Sequence, residues 1–222
     1  MTDVAQSELH PLSGIRKVAA RRMVEAWQAP VFHLSVEVVM TEALKVKQVV
    51  PTATVTDVIT KAVARSLMDH PDVNSRVTEE GILKFASANV GIAVATEKGL
   101  TVPVIHLANE KSLEELAQAR KEIVTKARDG KLGREDISNG TFSISNLGMM
   151  GIDSFDAILN IPQSAILAIG QTSMRYLYND GDPHWLEAAT FTLTCDHRSL
   201  DGATAAAFLA DLENNLELPV SK

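Results

Sequence analysis

From Trp185 to His197 the chain reads "WLEAATFTLTCDH", and its period of two sets Trp185, Ala189, Phe191, Leu193, Cys195 and His197 on one face. Thr190, Thr192, Thr194 and Asp196 fall on the other. Alternation sustained over this length is the mark of a β-strand, and an apolar row along one face has to be covered. The covering element follows almost at once. "DGATAAAFLADLENNLEL" is predicted as a helix with Thr204, Phe208, Leu212 and Leu216 along one stripe.

Upstream, the same two periods alternate. Ser13 is predicted to cap a helix with Ile15, Val18, Ala19, Met23 and Ala26 on its apolar side, ended by Pro30. "FHLSVEVV" reads as a half-buried strand with Phe32, Leu34, Val36 and Val38 inward. A short helix from about Thr41 and a longer one over about Thr56 to Asp69 follow, the latter opened by "TVTD" and stopped by "HPD". Successive strands are expected through "GILKFASANVGIAVATEKGLTVPVIH", with a hairpin at Glu97 to Gly99 and Pro103 marking an edge or a bulge. Ser112 and Glu115 form a capping box for the clearest helix, which Gly130 ends. "GTFSISNLG" and "SAILAIG" read as two more strands. The sum is an α+β fold, a two-layer mixed sheet covered by helices.

Composition narrows the class. With 222 residues, 45% hydrophobic and 22% charged, the chain is long enough for a sizeable core. A formal charge of -7 argues against a nucleic-acid binder, which needs a basic stripe to neutralise phosphates. The one cysteine, Cys195, forms no internal disulfide and no multi-thiolate zinc site, and the scattered histidines have no spacing that closes a metal shell. No window approaches a membrane span and no signal peptide is evident, so no membrane partner and a cytoplasmic location are expected. Residues 1–12 read as a flexible tail or linker remnant, and 13–222 as one folded domain.

Several side chains are candidates for chemistry. His197, continuing an apolar row, would be desolvated and kept as a neutral base; a core histidine bonded to a backbone carbonyl has the same pattern. Asp196 points to the opposite face, whereas Asp201 opens the last helix, as an ordered carboxylate or as an ordinary cap. Arg198 either holds a carboxylate or faces solvent. A nucleophilic Cys195 is disfavoured, because a strand holds positions i and i+2 about 7 Å apart, too far for a thiol–imidazole hydrogen bond. Ser143 and Ser145 share a face and either offers a hydroxyl to an oxyanion; periodicity does not choose between them. Lys98 sits at a hairpin tip, as a solvated turn residue or a carrier of a prosthetic group.

The segments "DHRSLDGA" and "FSISNLGMMGIDSFDAILNIPQSAILAIG", with "IRKVAARRMVEAWQAPVFHLSVEV" and "VGIAVATEKGLTVPVI", resemble the catalytic core of the dihydrolipoyl acyltransferases of 2-oxo acid dehydrogenase complexes. The resemblance covers nearly the whole chain and implies a chloramphenicol acetyltransferase-like fold. It implies acyl transfer, acetyl by the closest motifs, between dihydrolipoamide and coenzyme A, both substrates, in a pyruvate dehydrogenase-type or acetoin complex. Succinyl and branched-chain enzymes stay open, as do an acetyltransferase of the same fold acting on an alcohol and a non-catalytic assembly scaffold.

By motif, the resemblance makes His197 the general base for a thiol that the substrate brings, so no protein nucleophile is needed. Ser145 becomes the oxyanion donor, and Asp201 orders the site, paired with Arg16. The implied assembly is a homotrimer with His197 of one chain facing Ser145 of the next, in some members built into a 24-mer or 60-mer core. Implied partners are a lipoyl domain carried separately, a 2-oxo acid decarboxylase and dihydrolipoamide dehydrogenase, in the cytoplasm or, in a eukaryote, the mitochondrial matrix. "EKGLTVPV" matches a hairpin within this core, which removes Lys98 as a lipoyl carrier.

Overall fold

The structure is a computed structural model that describes residues 8–12, 14–179 and 181–220. Ser13, the expected cap, and the first seven residues of the expected tail lie outside the described residues. In chain order the elements are α1 (Gly14–Ala26), β1 (Val31–Val39), α2 (Val46–Val49), α3 (Val55–Asp69), β2 (Ser75–Val77), β3 (Ile82–Lys84), β4 (Val90–Ile92), β5 (Val94–Thr96), β6 (Gly99–Thr101) and β7 (Val104–Ile105). Then come α4 (Leu113–Arg128), β8 (Phe142–Asn146), β9 (Ala165–Ile169), β10 (Ser173–Asn179), β11 (Asp182–Asp196) and α5 (Gly202–Glu217).

One mixed sheet of seven strands runs β1-β11-β9-β8-β4-β7, with β10 paired to the outer part of β11. β8 is parallel to both β4 and β9, and the other pairs are antiparallel. Pro103 falls between β6 and the two-residue β7, which forms the sheet edge. β5 and β6 make the expected hairpin, closed where Thr96 faces Gly99.

The sheet's first face carries Phe142, Ile144, Leu167, Ile169, Phe191, Leu193 and Cys195 into one core with α3, α4 and α5. Each such large side chain contributes about 1.5–3 kcal/mol when withdrawn from water. Capping fixes where the covering helices begin. Asp57 completes the Thr54 box, accepting from the Thr54 backbone N–H at 2.7 Å, and also takes both the Nε (2.6 Å) and Nη2 (3.0 Å) of Arg120. That buried carboxylate ties the start of α3 to α4, and the Ser112–Glu115 box starts α4 as its sequence requires.

The second face is finished differently. Ile166 and Ala168 are covered by Ala29, Ala157 and Leu159, so that an extended segment rather than a helix lies over this side. Thr192, Thr194 and Asp196 are buried here, and Thr192 and Thr194 bond across to Ser35 (2.9 Å) and His33 (2.9 Å) of β1. α1 departs from expectation: Ala26 is its only buried residue, while Ile15 and Val18 are exposed. The helix touches the body mainly at the β5–β6 hairpin, which is too small to cover an apolar stripe.

Candidate active site

The geometry of one end of the sheet begins with Asp196. Its carboxylate is buried, accepts the Arg198 backbone N–H (3.0 Å), and holds the Arg198 guanidinium through Nε (2.9 Å) and Nη2 (2.5 Å). Its carbonyl accepts from the Ser199 and Leu200 N–H groups, so the chain wraps around this residue and leaves the strand. Arg198 therefore holds a carboxylate, and that hydrogen bond raises its own pKa.

His197 stands at the apex of the turn. Its backbone N–H donates to Pro30 O at 2.8 Å, and its ring leans on Phe32 with centroids 4.7 Å apart. The expectation of a desolvated ring does not hold within one chain: β11 ends at Asp196, and His197, one residue further, is exposed. The ring is held by its backbone and one aromatic neighbour, with its nitrogens left for a substrate.

Asp201 caps α5, its Oδ1 accepting the Thr204 N–H at 2.8 Å. That hydrogen bond is the main reason its carboxyl lies below the ordinary range; the nearby His197 is a minor one. Arg16 is elsewhere: its Cγ lies 3.5 Å from where a Cβ on Gly99 would stand, against the β5–β6 hairpin. Among the described residues no ion pair joins Arg16 to Asp201, so the chain alone does not make the expected pair.

The structure separates the two serines that periodicity left equal. Ser143 is fully buried, donates to Gln163 Oε1 (2.7 Å) and accepts from Asn160 Nδ2 (3.0 Å). Ser145 is half-buried, with no hydrogen-bond partner among the described residues. Only its hydroxyl is available. Cys195 is sealed in the core and burial pushes its thiol up to about 12, which removes it as a nucleophile. Lys98 is an exposed turn residue beside Gly130, where its charge favours the C-terminal end of α4.

His197 and Ser145 do not meet in one chain. Ser145 is level with Ala168 and Thr192 across β9 and β11, and His197 lies five residues beyond Thr192. Five steps of ~3.3 Å along the strand and two of ~4.8 Å across it place them about 19 Å apart.

A sheet of this order with helices on one face has the chloramphenicol acetyltransferase fold. A chloramphenicol acetyltransferase superposes with a TM-score of 0.58 at 14% identity over 89% of this chain and 94% of that one, a likeness of fold alone. Residues 4–221 match the model of the 2-oxoacid dehydrogenases acyltransferase (catalytic domain) family, and the chain belongs to it. The dihydrolipoyllysine-residue acetyltransferase component of the mitochondrial pyruvate dehydrogenase complex of Dictyostelium discoideum is 37% identical over 95% of this chain, which spans 34% of that protein's length. The cubic core of a pyruvate dehydrogenase multienzyme complex superposes with a TM-score of 0.91 at 30% identity, covering 97% of this chain and 93% of that one.

The Azotobacter vinelandii dihydrolipoamide acetyltransferase matches equally well (TM-score 0.91, 30% identity, 97% and 93% covered), in a structure concerned with a serine, a histidine and an asparagine in its catalytic mechanism. There the serine stands 52 residues before the histidine and the asparagine four after it. Ser145, His197 and Asp201 stand at the same intervals, with an aspartate in the asparagine's place.

Sequence reasoning missed Asp196 as the pin of the turn and Ser143 as a locked hydroxyl. Arg198, two residues from Asp196, was the available signal for the first; Asn160 and Gln163 gave none for the second, because their meeting with Ser143 is a tertiary contact.

Proposed function

We propose that this chain transfers an acyl group, acetyl in its principal reaction, between dihydrolipoamide and coenzyme A as the core acyltransferase of a pyruvate dehydrogenase-type complex. The observation that carries this is the set Ser145, His197 and Asp201, at the intervals of the Azotobacter trio, with an unpartnered hydroxyl and an exposed imidazole. A ring nitrogen of His197 takes the proton of the coenzyme A thiol, a group that is mostly protonated near neutral pH. The thiolate attacks the thioester carbonyl of acetyl-dihydrolipoamide, and the Ser145 O–H donates to the resulting oxyanion. Collapse breaks the bond to the dihydrolipoyl sulfur, which takes the proton back from His197. Asp201, anionic and fixed by its helix, orders the end of the site, with Arg16 as its cation in the assembled protein.

Strand geometry puts the Cα positions of the two residues about 19 Å apart, too far for one acceptor to touch both side chains, so in this reading each site takes His197 from one copy and Ser145 from another. A homotrimer, alone or built into a 24-mer or 60-mer core, satisfies this. The lipoyl arm is delivered by a separate lipoyl domain, with a 2-oxo acid decarboxylase and dihydrolipoamide dehydrogenase as partners, in the cytoplasm or mitochondrial matrix.

Two measurements test the reading. Protein incubated with acetyl-CoA and dihydrolipoamide is expected to form acetyl-dihydrolipoamide; an assembled protein that forms none is not this enzyme. Mixing His197→Ala chains with Ser145→Ala chains under conditions that exchange subunits is expected to recover activity that neither has alone. A mixture as inert as its parts refutes a site shared between copies.

A further inference from the structure

Two buried carboxylates, Asp57 and Asp196, are each clasped by an arginine, and the clasps differ in what they join. Arg120 stands 63 residues from Asp57, so that contact fastens α3 to α4. Arg198 stands two residues from Asp196 and fastens no second element. A buried ion pair adds little net stability, because desolvation offsets the Coulombic gain, so a clasp spanning a single residue has its effect in the local backbone. The residue it spans is His197.

That backbone alone decides where the imidazole stands. Among the described residues the imidazoles with a hydrogen bond are those of His33 and His106, whereas the His197 ring leans on Phe32 and takes its place from the main chain. Three N–H groups shape the turn: His197 donates to Pro30 O (2.8 Å), Arg198 to Asp196 Oδ1 (3.0 Å) and Leu200 to Asp196 O (3.0 Å). The second of these requires the Asp196 carboxylate to stay inside. Arg198 keeps it there, with Nε 2.9 Å from Oδ1 and 3.2 Å from Oδ2, and Nη2 2.5 Å from Oδ2. The carboxylate is 1% exposed and the arginine side chain 49%, so the cation stays in touch with water while its partner does not. Without the guanidinium, a buried charge with one N–H donor would turn out towards water and carry the turn with it.

We propose that Arg198 is a positioning residue: through the Asp196 carboxylate it holds the His197 turn in the geometry that proton transfer needs, and it does not bind substrate. This rests on the reading of His197 as the base. Misplacing a reacting group by ~1 Å can lower turnover about 100-fold, so a clasp that adds little stability acts strongly on rate.

The test separates positioning from substrate binding. Arg198→Met removes the clasp and keeps an apolar stem; well below the melting temperature, kcat is expected to fall about 10–100-fold while KM for coenzyme A stays within about two-fold of the parent's. Adding Asp196→Asn is expected to return most of the lost turnover. The amide oxygen still accepts the N–H of residue 198 and carries no charge to draw it outwards. Loss of a substrate contact would not be repaired in this way. Should R198M fail to fold, D196N/R198M, which buries no charge, is compared with the parent directly: kcat within about five-fold and an unchanged KM are expected, and a larger loss or a raised KM overturns the clasp. A raised KM in R198M with kcat kept makes Arg198 a ligand for the coenzyme's phosphates and overturns the proposal. Unchanged turnover in R198M, or a D196N/R198M protein no better than R198M, overturns it too. Each of these outcomes leaves His197 standing as the base. A parent protein that forms no acetyl-dihydrolipoamide, or an H197A protein as active as the parent, overturns the base reading and the proposal with it.

Discussion

On one face of the sheet Phe142, Ile144, Leu167, Phe191 and Leu193 are sealed beneath three helices, with every start set by a cap or a packed ring. On the other, the Ser145 hydroxyl has no hydrogen-bond partner among the described residues. The helical face closes within the chain because apolar stripes of period 3.6 meet an apolar row of period two, and burial needs nothing further. The opposite face mixes Ile166 and Leu159 with hydroxyls, of which Thr192, Thr194 and Ser143 find partners within the chain and Ser145 finds none among the described residues. The hydroxyl proposed to meet the oxyanion lies on this second face. Stability and chemistry are thereby separated by the thickness of one strand.

That division predicts which substitutions move which property. The largest effect is expected from His197→Ala: transfer should fall by ~10²–10⁴-fold, the worth of a general base, with no change in the melting temperature because the ring is exposed. Activity within a few-fold of the parent would remove His197 as the base. On the sealed face Phe208→Ala should show the reverse, a loss of ~3–5 kcal/mol in denaturant unfolding with turnover kept at low temperature, since Phe208 is fully buried against Phe142.

Ser145→Ala should lower kcat by ~10²–10³-fold while KM for coenzyme A stays close to the parent's, and a rise in KM alone would make it a ground-state contact. Two residues away the balance shifts. Ser143→Ala strands the Asn160 and Gln163 amides and should cost about 1–3 kcal/mol of stability, whereas Ser145→Ala, which strands nothing, should cost almost none. Equal melting temperatures for the two variants would erase the distinction.

The smallest effect concerns Asp201. Its folded carboxyl lies below the ordinary value, so its charge stabilises fully above the unfolded pKa near 3.9, and this contribution is lost as pH falls through the folded value. Asp201→Asn retains a capping oxygen and should flatten the acid loss of melting temperature; an unchanged acid limb would show that the carboxylate is not its source.

Much of this architecture was legible. The Ser112–Glu115 box, the Glu97–Gly99 turn, Pro103 at an edge and the long strand through Cys195 are local signals, and each formed where its residues require, although that strand stops at Asp196, one residue short of His197. β10 and β2 were not foreseen, because short strands exist through the neighbour they pair with rather than through their own pattern. α1 was given a buried stripe by periodicity, yet the chain offers it only a hairpin to lie on. A pattern states which face seeks cover and is silent about where the cover is.

The alternation of periods, the caps, the strand that leads to His197 and the spacing of Ser145, His197 and Asp201 could be read from the chain alone, because they depend on residues close together in it or on counting along it. It took the packed fold to show that Ser143 is consumed and Ser145 is not, that the carboxylate held by Arg198 is Asp196, that His197 is exposed, and that by strand geometry the Cα positions of Ser145 and His197 stand about 19 Å apart. Each of those depends on which strands are neighbours and in what register, a choice made by the burial of all the faces together.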